Sequence, residues 1–211
     1  MTDNKGNSVG SRASIPLLTE YQKELIIGCV LGDGYLRKLK GRKDAFLEIN
    51  HSIKAKEYVD WKYEVLKNIV KTPPKIRRQN KGIFKYAYRF FTRQHPYLTK
   101  LWKQFYDQHN NKIIRGPLNL TPLSLAVWFM DDGSCSIRGD IYLNTHQFDL
   151  KSQRYLLHAL RQLGIRARLN RDKGRYRIRL YRESVGRFLE IIKGHIHPSM
   201  KYKIEKCTKG E

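Results

Sequence analysis

The chain has 211 residues, of which 42 are Lys or Arg and 19 are Asp or Glu, for a formal net charge of +23 and a pI of about 10.1. At 40% hydrophobic residues it reads as a folded protein, not a basic disordered tail, and its length allows one large domain or two small ones, each with a core. No unbroken apolar run approaches the roughly 18 residues of a membrane span, the polar Met1–Ser14 reads as no signal peptide, and three widely spaced cysteines (Cys29, Cys135, Cys207) argue against a disulfide framework or a zinc ribbon. An intracellular protein with a polyanionic partner is expected, in cytoplasm, nucleoid or organelle matrix. Lys and Arg run through the whole chain instead of gathering on one amphipathic helix, and 13 tyrosines are interleaved with them, which favours nucleic acid over a membrane surface.

Residues 1–14 read as a disordered leader. Leu18-Thr19-Glu20-Tyr21-Gln22 then opens a helix with a capping box, and the apolar stretch from Leu25 to Leu31 ends at Gly32-Asp33-Gly34. A strand at Phe46–Asn50, a helix over Lys54–Ile69, a hairpin (Lys75–Arg78 and Ile83–Phe91) around the turn 79–82, and a helix near Tyr97–Gln108 follow. After Arg115-Gly116-Pro117 the series repeats. Thr121-Pro122 opens a helix as N-cap and first helical residue, and its apolar run ends at Asp131-Asp132-Gly133. A strand region over Asp140–Phe148, a helix over Lys151–Leu163, a hairpin (Ile165–Asn170 and Arg175–Tyr181) around 171–174, and a helix near Glu183–Lys193 complete the second unit. Asp33 and Asp132 lie 99 residues apart, so the chain divides into two related halves, 15–115 and 116–211.

Two features carry chemistry. The second hairpin alternates Arg166, Arg168, Arg175, Arg177 and Arg179 with apolar residues, which with a side-chain period of two places the arginines on one face. Such a ribbon suits a major groove, where Arg reads guanine through paired hydrogen bonds. Both repeat helices also end in acids, against the negative charge of a helix C-terminus. Asp is a common turn residue, but its recurrence at equivalent ends points to a compensating cation. A divalent metal with oxygen ligands is the simplest. Gly28 and Gly32, four apart on α-helical spacing, allow another backbone close, so that the two helices could pack about a pseudo-twofold axis and bring Asp33 and Asp132 together.

The stretches Leu25-Ile26-Ile27-Gly28-Cys29-Val30-Leu31-Gly32-Asp33-Gly34 and Leu125-Ala126-Val127-Trp128-Phe129-Met130-Asp131-Asp132-Gly133 resemble two copies of the LAGLIDADG motif, and residues 17–205 resemble a single-chain, two-motif LAGLIDADG homing endonuclease of the intron-encoded type. The resemblance implies an α+β fold of two αββαββα halves. Antiparallel sheets would form a saddle over DNA, and the motif helices would pack at the interface. It also implies a monomer that cleaves both strands of a long asymmetric site with Mg2+ and leaves 3′ overhangs. Mn2+ would substitute, and Ca2+ would support binding without cleavage. Carried over by position, Asp33 and Asp132 are metal-binding catalytic acids, Gly32 and Asp131 offer backbone carbonyls, and Lys112 and Lys203 are the lysines near the metals. Arg37, Lys38, Arg77, Arg89, Arg138 and Asn144 join the hairpin arginines as expected DNA contacts. Val127 departs from the motif where the first copy has Gly28.

Two other functions fit the same fold: an RNA-binding maturase that assists intron splicing, and a regulatory DNA-binding protein on an inactive nuclease scaffold. Retained acids favour cleavage, since a pure binder has no need of them. His195-Ile196-His197 lacks a Cys or Glu partner and reads as structural or phosphate-contacting.

Overall fold

The computed structural model describes residues 15–78 and 85–208; the expected leader (1–14) and the turn at 79–82 lie outside the described residues. In chain order the elements are α1 (Glu20–Leu31), β1 (Tyr35–Arg37), β2 (Phe46–Ser52), α2 (Lys56–Leu66), β3 (Lys75–Arg78), β4 (Tyr86–Phe91), α3 (Pro96–Phe105), α4 (Pro122–Asp132), β5 (Gly133–Cys135), β6 (Ile141–Leu143), α5 (Leu150–Gln162), β7 (Ala167–Asp172), β8 (Arg175–Leu180), α6 (Val185–Ile192) and α7 (Tyr202–Thr208). They build two antiparallel four-stranded sheets of matching order, β1-β2-β4-β3 and β5-β6-β8-β7, the repeated α+β architecture expected from the motifs.

Both motif helices start as their sequences dictate. The Thr19 hydroxyl accepts the Gln22 N–H while the Gln22 side chain accepts the Thr19 N–H, and Thr121 with Ser124 makes the same reciprocal pair ahead of α4. Neither helix is amphipathic. Leu123 to Met130 are all buried, as are Leu25, Ile26 and Cys29 to Leu31, because a helix that is apolar all round must lie inside. The two pack face to face. A Cβ built on Gly28 would sit 2.6 Å from both the Ser124 carbonyl oxygen and Val127 Cβ, so the bare backbone of α1 admits the valine that replaces glycine in the second motif. On each sheet one face carries the core, with Leu47, Ile49, Phe90 and Leu36 in the first and Leu143, Ile178 and Leu180 in the second. The opposite faces present Arg37, Glu48, Asn50 and Arg89, and Arg168, Arg177 and Arg179.

Several expectations need adjustment. The strand region 140–148 pairs only over Ile141–Leu143. Beyond it the Thr145 hydroxyl turns inward to donate to Gln153, and the Thr145 and Phe148 amides close turns onto Leu143 and Thr145. The second hairpin is tighter than expected. Strands run to Asp172 and from Arg175, joined by Lys173 (φ 48°) and Gly174 (φ 80°), a two-residue turn whose positive φ values match strand twist. Arg166 precedes β7, its carbonyl accepts from the Tyr181 N–H, and its guanidinium pairs with Glu183 and lies, like that of Arg168, over the Tyr181 ring. Cys135 on β5 and Cys207 on α7 form a disulfide with Cα atoms 5.3 Å apart, against the sequence expectation. Seventy-two residues of chain separate them, but the fold returns α7 to β5, and spacing along a chain does not measure distance. Among the described residues no helix is long and apolar enough to cross a membrane.

Candidate functional site

The parallel placement of α1 and α4 delivers their C-terminal acids to one place. Asp33 follows α1 after the cap residue Gly32, Asp132 is the last residue of α4, and both line a single cleft of about 580 Å3 with Gly32, Lys112, Asn144 and Gln147. A second cleft, of about 460 Å3, shares Asp33 and adds His51, Asp131 and Lys203. The expected convergence of the two acids is therefore what the fold does.

Neither motif helix has a basic residue in its last turn. The missing positive charge arrives from elsewhere, symmetrically. Lys112, bridged to Tyr106 just beyond α3, donates to the Gly32 carbonyl at 2.7 Å, and Lys203, from α7, donates to the carbonyls of Met130, Asp131 and Gly133. Each lysine thus covers the carbonyl of the residue before an acid, where the orphan C=O groups of a helix end collect. The disulfide fixes the helix carrying Lys203 to the strand that follows Asp132. Burial lowers both lysines, Lys112 to about 8, against the opposing pull of Asp33, Asp131 and Asp132.

The acids are held in the opposite direction. Recession into the cleft, then the neighbouring Asp131 carboxylate, raises Asp33 to about 6. For Asp132 the recession, Asp33 and Asp131 raise it to about 7. Two carboxylates brought together without a cation resist ionising together. Asp132 Oδ2 accepts from the Gln147 side chain at 3.3 Å, and the same amide reaches the Leu31 carbonyl of α1. Carboxylate and carbonyl oxygens in this arrangement are a donor set for a hard divalent cation.

Asp131 behaves differently from its neighbour. Its side chain is fully buried and accepts from the Lys62 ammonium at 2.7 Å and from the Tyr58 hydroxyl at 2.8 Å, while its other oxygen meets the Asp33 N–H at 3.3 Å. Burial alone would raise it. Lys62, His51 and these hydrogen bonds outweigh that and hold it below the usual carboxylate range. It occupies the space opposite Gly32, where a Cβ would lie 2.3 Å from Asp131 Cβ. His51 is kept neutral, down to about 4, by burial and by Lys62. Its Nε2 accepts from Lys62 at 3.1 Å, so its proton sits on Nδ1, 3.4 Å from Asp33 Oδ2. Ligand atoms of Asp33, His51 and Asp131 lie within 4.8 Å of one another, but Lys62 already neutralises that corner. The Asp33 and Asp132 carboxylates could hold a cation, with the Gly32 and Asp131 carbonyls each keeping a second lone pair beside the lysine they accept from.

Lys62, Tyr58 and His51 were not singled out from the sequence. A signal existed: Tyr58, Lys62 and Leu66 follow one another at i, i+4 on the buried stripe of α2, and a lysine in such a stripe asks for a buried anion.

Of the expected nucleic-acid contacts, the structure gathers Arg37, Arg77 and Arg89 on the open face of the first sheet, and Arg168, Arg175, Arg177 and Arg179 with Asn144 on or beside that of the second. Lys38 and Arg138 lie in the loops after β1 and β5, where Lys38 donates to the Arg42 carbonyl and the Arg138 carbonyl accepts from Arg182. Arg177 is held on three sides: its guanidinium lies 4.0 Å from the Tyr142 ring centroid, Nη1 donates to Asn144 at 3.3 Å, and Nε faces Asp172 at 3.6 Å. His95 caps α3, accepting from the Tyr97 N–H, and His197 caps the turn at Ser199.

The family model of the LAGLIDADG DNA endonuclease family matches residues 23–188. A probable intron-encoded endonuclease of Wickerhamomyces canadensis is 30% identical over 199 residues, covering 89% of this chain and 85% of that protein. The cytochrome b mRNA maturase bI2 of Saccharomyces cerevisiae is 29% identical over 196 residues; the match covers 85% of this chain, which spans only 46% of the maturase's length. The solved structure of the homing endonuclease I-WcaI bound to its DNA recognition sequence superposes with a TM-score of 0.80 at 29% identity, over 90% of this chain and 88% of that one. With a motif helix from each half converging on one acidic cleft, and a family match over most of its length, this chain belongs to the LAGLIDADG DNA endonuclease family.

Proposed function

We propose that the protein, read as units 15–115 and 116–211, is a site-specific endonuclease that hydrolyses both strands of a long asymmetric DNA duplex laid across its two sheets. The observation that carries the reading is the pair of acids, one from each motif helix, sharing one cleft with raised proton affinity and a lysine at each helix end. Asp33, Asp132 and the carbonyls of Gly32 and Asp131 would hold divalent cations, Mg2+ in the working enzyme, with Mn2+ able to replace it and Ca2+ supporting binding alone. Such cations lower the pKa of water and stabilise charge on a phosphodiester's oxygens. The chain's own groups do the rest. Lys112 and Lys203, with lowered pKa values and donors already in the cleft, stabilise negative charge on the scissile phosphates. Arg177, Arg179, Arg89 and Arg37 meet the duplex from the open faces of the sheets.

Incubation of a randomised target library with the protein and Mg2+ should yield one long cleaved sequence, and Ca2+ should yield retained but uncut DNA. A library bound without cutting in either ion would remove the nuclease reading, and preferential retention of intron RNA would favour the maturase role. Once the site is known, Arg177→Ala should lose roughly 1–3 kcal/mol of discrimination at one base position. A uniform loss across all sequences would make Arg177 a phosphate contact.

The acids also make stability depend on pH and metal. With pKa values of about 6 and about 7 in the fold against about 4 in an unfolded chain, both favour the protonated form when folded. Their contribution is fully present below about pH 4 and is lost as pH rises through the folded values. The metal-free protein should therefore melt at a lower temperature at about pH 8 than at about pH 5, and Mg2+ or Ca2+ should raise the melting temperature more at the higher pH. Equal metal shifts at both pH values would place the cations elsewhere.

A further inference from the structure

The open face of the first sheet carries a carboxylate where a polyanion has to lie. Glu48, at the middle of β2, stands beside Tyr35 and Phe91 in the sheet register and points away from the core that Leu47 and Ile49 enter. Its side chain is 8% exposed, because two arginines close over it. Arg37 Nε meets Oε2 at 2.5 Å, and Arg89 Nη1 lies 3.8 Å from Oε1. Aromatic rings back both guanidinium groups: Arg37 lies 5.3 Å from the centroid of Tyr35, and Arg89 5.3 Å from that of Phe91. Beside them Asn50 Oδ1 is buried without a hydrogen-bond partner, an acceptor left for something the face receives.

The second sheet solves the same problem with different chemistry. Aligning Gly34 with Gly133 and Ile49 with Leu143 through the strand registers puts Tyr142 where Glu48 stands, and Arg177 where Arg89 stands. There the guanidinium groups of Arg177 and Arg179 lie 4.0 and 5.8 Å from one tyrosine ring centroid, and the acids are moved to the margins, with Asp140 on Arg179 at 2.8 Å and Asp172 on Arg177 at 3.6 Å.

We infer that Glu48 is a specificity-determining positioning residue: it holds Arg37 and Arg89 in fixed orientation so that they read guanines of the half-site under the first sheet. The inference rests on the proposed DNA reading. Elementary electrostatics supports it. A carboxylate on this face repels every phosphate, so it weakens binding to duplex of any sequence. Its compensating effect has to come from what it does to the arginines. A guanidinium presents five N–H donors in a rigid fork, and Arg37 engages Glu48 through Nε, so other donors remain for the paired contact with guanine O6 and N7. An arginine held before the DNA arrives loses less side-chain freedom on reading a base than one swinging on the surface. The same clamp keeps it from sliding to a phosphate, the sequence-blind alternative. Glu48 in one sheet and Tyr142 in the other also set the one matched pair, Arg89 and Arg177, against different neighbours, so the duplicated halves read different sequences.

The test uses the full chain and the target obtained by cleavage selection. Glu48→Gln should bind random duplex as tightly as the parent or more tightly. It should lose about tenfold in discrimination at the base positions that Arg37→Ala and Arg89→Ala also relax, a loss at the low end of one bidentate guanine contact. Its melting temperature reports folding. Should that variant fold poorly, Glu48→Asp, which keeps the charge but shortens the reach, should show a smaller loss at the same positions. An unchanged selection profile, a uniform change over all positions, or a loss confined to a cytosine that neither arginine variant touches would each overturn the assignment, the last by making Glu48 itself the reader. If the parent protein selects no site at all, it is the nuclease reading that fails; if it selects one and Glu48→Gln selects the same one, only the clamp is lost.

Discussion

Asp132→Asn will abolish double-strand cleavage and, in the absence of metal, raise the melting temperature. The two effects have one origin. Asp132 is recessed beside Asp33 and Asp131, and this company raises it to about 7. Replacing one of the carboxylates by a neutral amide removes repulsion that the metal-free fold otherwise carries. The same replacement removes half of the anionic ligand set from a cleft whose other donors are carbonyl oxygens, and hard cations held chiefly by neutral ligands bind weakly. Asp33→Asn should behave alike, and specific binding to the selected target should survive in both, because the sheets are untouched. Cleavage assays on a supercoiled plasmid bearing the target, run beside thermal melts in chelator, read both effects at once. Residual linear product at the parent rate would withdraw the metal assignment.

The largest expected loss of stability comes from Lys62→Met. The Lys62 ammonium and the Asp131 carboxylate are both fully buried, 2.7 Å apart, and removing one partner of such a pair leaves an uncompensated charge in the interior at about 3–5 kcal/mol. Denaturant titration measures it. The double variant Lys62→Met, Asp131→Asn should recover a large part of the loss, since a neutral amide can turn its oxygen to the Asp33 N–H and donate its NH2 to the Tyr58 hydroxyl oxygen. An additive double variant would show that Lys62 contributes by packing alone.

Much of the architecture is legible in the sequence because its signals are local or periodic. The two capping boxes, the apolar runs ending in Asp-Gly, and the alternating arginines of the second hairpin each fix an element through residues within a few positions of one another. The convergence of Asp33 and Asp132 follows from symmetry once the motif is seen twice. What stays hidden depends on contacts across the chain. Lys62 meets Asp131 over 69 residues and Cys135 finds Cys207 over 72; no pattern in a short window names either partner. The shortening of the strand at 140–148 has a similar cause, since Thr145 is drawn off the sheet by Gln153, whose position depends on how α5 packs.

The difference between Gly32 and Asp131 has a consequence for how such a molecule can be assembled. α2 buries residues 58, 59, 62 and 66, and α5 buries 152, 153, 156, 159 and 160, a spacing that puts Leu156 where Lys62 stands. A homodimer made from the second repeat would confront two Asp131 side chains with leucines where Lys62 now stands. One made from the first would leave two glycines facing an empty seam. Each repeat is fitted to the other, the carboxylate of one filling the space the glycine of the other leaves, and not to a second copy of itself.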